Sequence, residues 1–281
     1  MEKEQRKLTL AEQFCYITTI IEAETMDGKK HKGTGFFVTF YTEKGNPFEI
    51  LVTNRHVAEN VKKMRIFISK RGEDGNPVDS EFLPLSIDNV DKIFVFHSDP
   101  KIDLAVCPVT VIFNKIRERY DLFYKTFPPS FIVTDEWSCN LDAIEDVIMI
   151  GYPLGLYDKT NNRPIVRKGI TATDPKVDYE GEKMFMVDIA CFPGSSGSPV
   201  MVYKKRVVEK TPEATTIKEI SKLAGIMCSM TTARNTSLPP NPVSFDLPAN
   251  IGYAVKAQCL YDFIPLLSKE FDVKLDTSIK R

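Results

Sequence analysis

Apolar residues recur in short runs through most of the chain, and most runs are rich in β-branched and aromatic side chains. That pattern predicts strands rather than helices. In the first half the expected strands are Phe14-Cys-Tyr-Ile-Thr-Thr-Ile-Ile-Glu-Ala, Gly35-Phe-Phe-Val-Thr-Phe-Tyr and Phe48-Glu-Ile-Leu-Val-Thr53. Met64-Arg-Ile-Phe-Ile, Lys92-Ile-Phe-Val-Phe and Leu104-Ala-Val-Cys-Pro continue the series, with Asp27-Gly28 and Lys44-Gly-Asn-Pro47 as turns. Between about 111 and 139 the pattern changes. Phe113 to Tyr124 reads as helix, ended by Pro128-Pro129, and forms a connection. Strands resume at Asp146-Val-Ile-Met-Ile, Gly169-Ile-Thr-Ala-Thr, Met184-Phe-Met-Val-Asp, Ser198-Pro-Val-Met-Val-Tyr, Leu223-Ala-Gly-Ile-Met-Cys and Ile251-Gly-Tyr-Ala-Val. The charged stretch between 204 and 222 separates two of them as a hairpin tip or insertion. Ala257 to Phe271 has the period of a C-terminal amphipathic helix, with Pro265 awkwardly inside it.

Two sets of about six strands imply an all-β chain: two small barrels or a pair of sandwiches. With 281 residues there is room for one large or two modest cores. Net charge is −1 and the basic clusters are short, so neither nucleic acid nor an anionic membrane is an expected partner. The charged N-terminus is unlike a signal peptide, and no apolar run approaches the roughly 20 residues that span a bilayer. Six cysteines, none in metal-ligand spacing, sit mostly in apolar runs. Free thiols and a cytoplasmic setting are the expectation.

Phe192-Pro-Gly-Ser-Ser-Gly-Ser-Pro-Val200 is the stretch that neither a core strand nor an ordinary loop requires. A hydrolytic nucleophile needs an exposed oxygen, a base, a group to orient the base, and donors aimed at a developing oxyanion. Glycines let the backbone turn its N–H groups toward a ligand. Ser196 is the candidate nucleophile, and the N–H groups of Gly194 and Ser196 are the candidate oxyanion hole. Among three histidines, His56 follows an apolar strand directly, whereas His31 lies in a polar Lys-rich turn and His97 in a loop. Asp103 stands directly before an apolar strand and so needs a partner; Asp99 has the setting of a turn residue.

His56 in Thr-Asn-Arg-His-Val-Ala, Asp103 in Asp-Leu-Ala-Val and Ser196 in Gly-Ser-Ser-Gly-Ser-Pro occur in that order. The arrangement resembles the trypsin/chymotrypsin-like serine peptidases, and within them the bacterial branch that includes the high-temperature-requirement proteases. Lys32-Gly-Thr-Gly-Phe-Phe-Val, Ile150-Gly-Tyr-Pro-Leu-Gly, Arg167-Lys-Gly-Ile-Thr-Ala, Leu223-Ala-Gly-Ile-Met and Ile251-Gly-Tyr-Ala-Val resemble further strands of that family, so the likeness spans about residues 12 to 265. It implies two antiparallel six-stranded β-barrels with the active site in the cleft. The N-terminal barrel would cover 12–112 and carry His56 and Asp103. A connection at 113–139, a C-terminal barrel at 140–256 with the nucleophile, and a helix and tail at 257–281 would follow.

The resemblance also implies a specificity pocket with its floor at Ala190 and walls from Cys191, Phe192, Cys228, Ser229 and Met230. No acid stands at the floor, so a small or medium apolar P1 residue is expected. Ser195 occupies the place where digestive relatives carry an acid that pairs with a freshly cut N-terminus, so activation of that kind is not expected. The chain leaves no room for the C-terminal peptide-binding domain of the high-temperature-requirement proteases. Activity would then be constitutive, or an activating protein partner would order the 192–196 loop. The implied function is a serine endopeptidase acting on protein or peptide substrates, with neither cofactor nor metal. The alternatives are a catalytically silent binding module on the same fold, or a relative with a cysteine nucleophile.

Overall fold

The computed structural model describes the backbone of residues 7–210, 215–236 and 244–278, and the side chains of these residues outside 205–219 and 233–248. Thr9 opens the described structure by capping the helix Leu10–Phe14: its hydroxyl accepts the Glu12 N–H, and the Glu12 carboxylate accepts the Thr9 N–H. This reciprocal cap is why the first strand starts at Thr18 and not at Phe14, as the apolar run suggested. The strands of the N-terminal half are β1 (Thr18–Thr25), β2 (Lys30–Tyr41), β3 (Pro47–Thr53), β4 (Val61–Arg71), β5 (Pro77–Asp88), β6 (Val95–Phe96), β7 (Ala105–Pro108) and β8 (Leu122–Phe123). They form one antiparallel sheet in the order β5-β4-β1-β2-β3-β7-β6, with β8 added on β4.

The C-terminal half contains β9 (Asp146–Gly151), β10 (Ile165–Thr171), β11 (Met184–Asp188), β12 (Pro199–Lys210), β13 (Thr215–Thr236) and β14 (Ser244–Lys256). These close into a barrel in the order β10-β11-β14-β13-β12-β9. The fold is therefore mostly β, with one closed six-stranded barrel, a second sheet and a C-terminal helix. The N-terminal unit differs from the expected six-stranded barrel: it has eight strands and its ladder does not close. Two of those strands, β6 and β8, are only two residues long. β6 is the end of the expected Lys92–Phe96 strand, whose first residues lie in the short helix Val90–Ile93 instead. β8 owes its conformation to the β4 ladder and falls in a stretch that reads as helix.

The segment expected to be helical from Phe113 to Tyr124 is helix only over Thr110–Arg117. Leu122 and Phe123 then leave the helix because both are buried against the sheet, where Lys70 and Ser69 pair with them. The charged stretch after β12 runs on as a long β12–β13 ladder, with Lys210 opposite Thr215 and the turn outside the described residues. Pro265 is accommodated because the C-terminal element is divided: a 3₁₀ segment covers Ala257–Asp262 and the α-helix covers Phe263–Glu270. That places Pro265 in the first helical turn, where a missing N–H costs little.

The largest apolar cluster belongs to both halves. Phe36, Val38 and Val52 from the sheet meet Ile150, Met201 and Val255 from the barrel, and Leu260 and Phe263 of the C-terminal segment close it. β2 is buried from Gly33 to Phe40 because its two faces enter different clusters: Phe36 and Val38 face the shared core, and Phe37 faces the sheet's own core. No helix among the described residues is long and apolar enough to cross a membrane. All six thiols are free.

Candidate active site

β3 pairs with β7 with Thr53 opposite Ala105. This register sets the residues just after β3 beside those just before β7. Asn54, fully buried, precedes the short helix Arg55–Ala58 and donates its Nδ2 to the Asp103 carbonyl at 2.7 Å. His56 in that helix meets the Asp103 carboxylate twice: its Nδ1 lies 2.6 Å from Oδ2, and its backbone N–H donates to Oδ1 at 3.0 Å. A carboxylate only accepts, so Nδ1 carries the proton and Nε2 is left as the acceptor. The His56 side chain is half exposed and Asp103 about 29% exposed, so the ring is open to solvent while its partner is more shielded.

The other two histidines have structural partners. His97, 4% exposed, joins its Nε2 to Asp262 at 3.2 Å and so ties the sheet to the C-terminal segment. His31 is not in a solvated turn; it lies on β2, and its Nε2 binds the Val57 carbonyl at 3.0 Å. Asp99 caps its own turn by accepting the Lys101 N–H.

Ser196 sits on the turn leading into β12. The backbone around it is pinned in every direction but one. The Pro193 carbonyl accepts the Leu154 N–H at 2.6 Å, and the Thr34 hydroxyl donates to the Gly194 carbonyl at 2.9 Å. The Ser195 carbonyl accepts the Ser198 N–H, and the Ser196 carbonyl accepts the Thr34 N–H at 2.8 Å. A trans peptide sets its N–H opposite its C=O. Fixing the carbonyls of 193 and 195 therefore turns the N–H groups of Gly194 and Ser196 the other way. Among the described residues, neither N–H donates to a backbone carbonyl. Ser196 Oγ itself donates to the Cys228 carbonyl at 3.4 Å, not to His56.

Gly194 and Gly197 have φ of +90° and +85°. A Cβ at Gly197 would lie 1.9 Å from the Thr34 carbonyl oxygen. Gly197→Ala is therefore expected to cost about 3 kcal/mol from the left-handed φ alone, and more from the collision. Thermal unfolding of the variant checks this; an unchanged midpoint would contradict the close approach of the two chains.

Beside the turn lies a pocket of about 200 Å³. Cys191, Phe192, Pro193, Met227 and Met230 give it an apolar lining, and Ser195, Ser196 and Ser229 supply its hydroxyls. Four of the six expected pocket residues thus line it. Ala190 and Cys228 do not: the Ala190 carbonyl is held by Arg167, and Cys228 offers its carbonyl to Ser196. Met227 and Pro193 take part without having been expected. Burial pushes the Cys191 thiol up to about 11, with Arg167 opposing it, and the Cys228 thiol up to about 11, with the Asp103 charge adding to the shift.

Arg167, quoted in the sequence only as part of a strand, reaches from β10 to Ser195 Oγ at 2.8 Å and to the Ala190 carbonyl at 2.7 Å. Asn54 and Leu154 were likewise not singled out. Among the described residues, no cluster of three or more His, Cys, Asp or Glu could hold a metal ion.

The family model for a trypsin-like peptidase domain matches residues 33–208. The chain belongs to the trypsin-like peptidase family. That match includes His56, Asp103 and the 190–198 turn, and ends before β13 and β14. No curated protein matches the chain. Among solved structures it is similar to the Rv3671c protease in its inactive form, at 14% identity and a TM-score of 0.41, covering 92% of this chain and 91% of that one. It is also similar to a catalytically inactive tobacco etch virus protease complexed with substrate, at 10% identity and a TM-score of 0.47, covering 91% and 85%. Protease Anisep from Arthrobacter nicotinovorans is similar at 10% identity and a TM-score of 0.46, covering 88% and 92%.

Proposed function

We propose that this trypsin-like peptidase is a serine endopeptidase in which Ser196 is the nucleophile, His56 the general base and Asp103 the group that orients it. The observation that carries this reading is the double engagement of one carboxylate by the His56 ring and backbone N–H. It fixes both the tautomer and the angle of the imidazole, leaving Nε2 free to take a proton. Ser196 attacks the scissile carbonyl as His56 accepts its hydroxyl proton. The oxyanion that forms is received by the Gly194 and Ser196 N–H groups, the two donors the turn leaves unspent. The imidazolium, held by Asp103, returns the proton to the leaving amine, and water releases the acyl group by the reverse of the same steps. The hydrogen bond of Ser196 Oγ to Cys228 belongs to the resting site; catalytic hydrogen bonds commonly tighten only when substrate is bound.

The pocket supports an apolar P1 residue of modest size, since sulfur, hydrocarbon and three hydroxyls line it and, among the described residues, no carboxylate does. Cleavage of a peptide library mainly after Lys or Arg would overturn that part.

The test is covalent. An alkyl fluorophosphonate is added to the purified protein and the adduct is mapped by mass spectrometry. One phosphonyl group on Ser196 is expected. Iodoacetamide at neutral pH is expected to alkylate exposed Cys139 and leave this reactivity intact, because the buried Cys191 and Cys228 thiols stay protonated. A folded protein that carries no adduct would instead favour a silent binding module. Loss of hydrolysis with a Cys191 adduct would favour a thiol nucleophile.

A further inference from the structure

We propose that Arg167 is the positioning residue of the nucleophile turn, an internal clamp that holds the two oxyanion donors outward by gripping Ser195 and Ala190. This rests on the reading of Ser196 as the nucleophile and adds to it the device that keeps the site assembled.

The grip has two points. Nη1 of Arg167 donates to the Ala190 carbonyl at 2.7 Å and to Ser195 Oγ at 2.8 Å. These acceptors stand at the start of the loop and next to the nucleophile, so one guanidinium nitrogen closes the loop between them. Ser195 is 2% exposed, and its Oγ also receives the Phe192 N–H at 3.3 Å. Ser195 is thereby held by its side chain from below, while its carbonyl is engaged by Ser198 and its N–H by the Phe192 carbonyl. With that residue immobile, the following peptide has one orientation, in which the Ser196 N–H points into the cleft.

Stability does not explain why an arginine stands here. No carboxylate forms an ion pair with Arg167 among the described residues. Its Nε and Nη2 are buried with no acceptor among the described residues. Burial of a cation whose donors are partly unmatched costs free energy, and an apolar side chain of similar length often serves the fold as well or better. Burial also pulls the Arg167 pKa down to about 10, which still leaves it charged at neutral pH. A cost of this kind is understandable where a fixed, directional donor is needed. A fork on a strand supplies it because the strand does not move with the loop. Ser195 and Arg167 together then do what an acidic residue and an ammonium group would do: they place a charge-assisted hydrogen bond under the turn.

The test compares wild type with Arg167→Met, Arg167→Lys and Ser195→Ala. Arg167→Met keeps the apolar stem and removes every donor. Three readouts apply to each folded variant: amide hydrogen exchange of the segment 190–198, the rate of fluorophosphonate labelling, and the thermal midpoint. Arg167→Met is expected to speed exchange of the segment about tenfold or more and to slow labelling about 100-fold, the loss typical of one oxyanion donor. Its midpoint is expected to stay within a few degrees of wild type or rise. Arg167→Lys, with one donor in reach, is expected to fall between, a partial rescue that loss of packing alone would not give. Ser195→Ala, which leaves Arg167 in place, is expected to speed exchange in the same direction. Exchange unchanged in folded Arg167→Met and Ser195→Ala would overturn the clamp. If Arg167→Met fails to fold, Ser195→Ala alone decides it. Absence of labelling in wild type would sink the serine-nucleophile reading, and the exchange readout would still judge the clamp.

Discussion

Ser196→Ala is expected to abolish fluorophosphonate labelling and to lower kcat for a cleavable peptide by about 10⁶-fold, the scale found when a triad nucleophile is removed. The argument is chemical. Alanine offers no atom to form the acyl-enzyme, and His56 then has no hydroxyl to activate. What survives is the residual contribution of the Gly194 and Ser196 N–H groups and of substrate positioning, since a backbone N–H remains at 196 whatever the side chain. The fold should hardly respond. Ser196 is only partly buried, and its one side-chain hydrogen bond is the 3.4 Å contact to the Cys228 carbonyl. Losing it costs about 1 kcal/mol or less. A variant with an unchanged thermal midpoint and no labelling separates chemistry from folding. Hydrolysis within tenfold of wild type would sink the assignment of Ser196.

If His56, Asp103 and Ser196 act as proposed, Asp103→Asn is expected to cost about 10⁴-fold in kcat, the scale of that exchange in a characterised Ser-His-Asp triad. The reason lies in hydrogen-bond polarity. Asp103 accepts from both the ring and the backbone of His56. An amide has only one oxygen. If that oxygen keeps the His56 backbone N–H, its NH₂ group faces Nδ1, and the imidazole can meet it only by moving its proton to Nε2. In that tautomer the nitrogen facing the cleft is already protonated and cannot act as a base. The Asn54 contact is to the main-chain carbonyl of residue 103 and survives the change. Rates measured alongside thermal unfolding check this; a loss of less than tenfold would mean that Asp103 does not set the tautomer.

Parts of the fold and site were legible because their causes are local. β2, β3 and β9 show as apolar runs between turn residues. His56, Asp103 and Ser196 each sit at a strand boundary, where a polar residue of that kind has no packing reason to be. Other features have distant causes. β8 exists because β4 offers it a ladder, in a stretch that reads as helix. The reciprocal cap of Thr9 and Glu12, which starts a helix at Leu10, was not singled out in the sequence. Arg167 finds its acceptors on residues 23 and 28 positions away, one of them a main-chain carbonyl. Nothing in the spacing of Arg167, Ala190 and Ser195 marks them as neighbours. Met227 entered the pocket for a similar reason: the β13 register decides which side of the strand faces the cleft.

Thr34 ties these observations to the behaviour of the whole molecule. Its N–H holds the Ser196 carbonyl, its hydroxyl holds the Gly194 carbonyl and accepts the Tyr152 N–H, and its own carbonyl accepts the Thr53 hydroxyl. One residue of the N-terminal sheet is thereby bonded to the Ser196 turn, to the residue that follows β9 and to the strand that leads to His56. The apolar cluster beneath it is shared between the halves in the same way. Sheet and barrel therefore cannot melt one after the other without dismantling the site. The two halves are then expected to unfold as one cooperative unit, so that the integrity of the Ser196 turn reports on the folding of both.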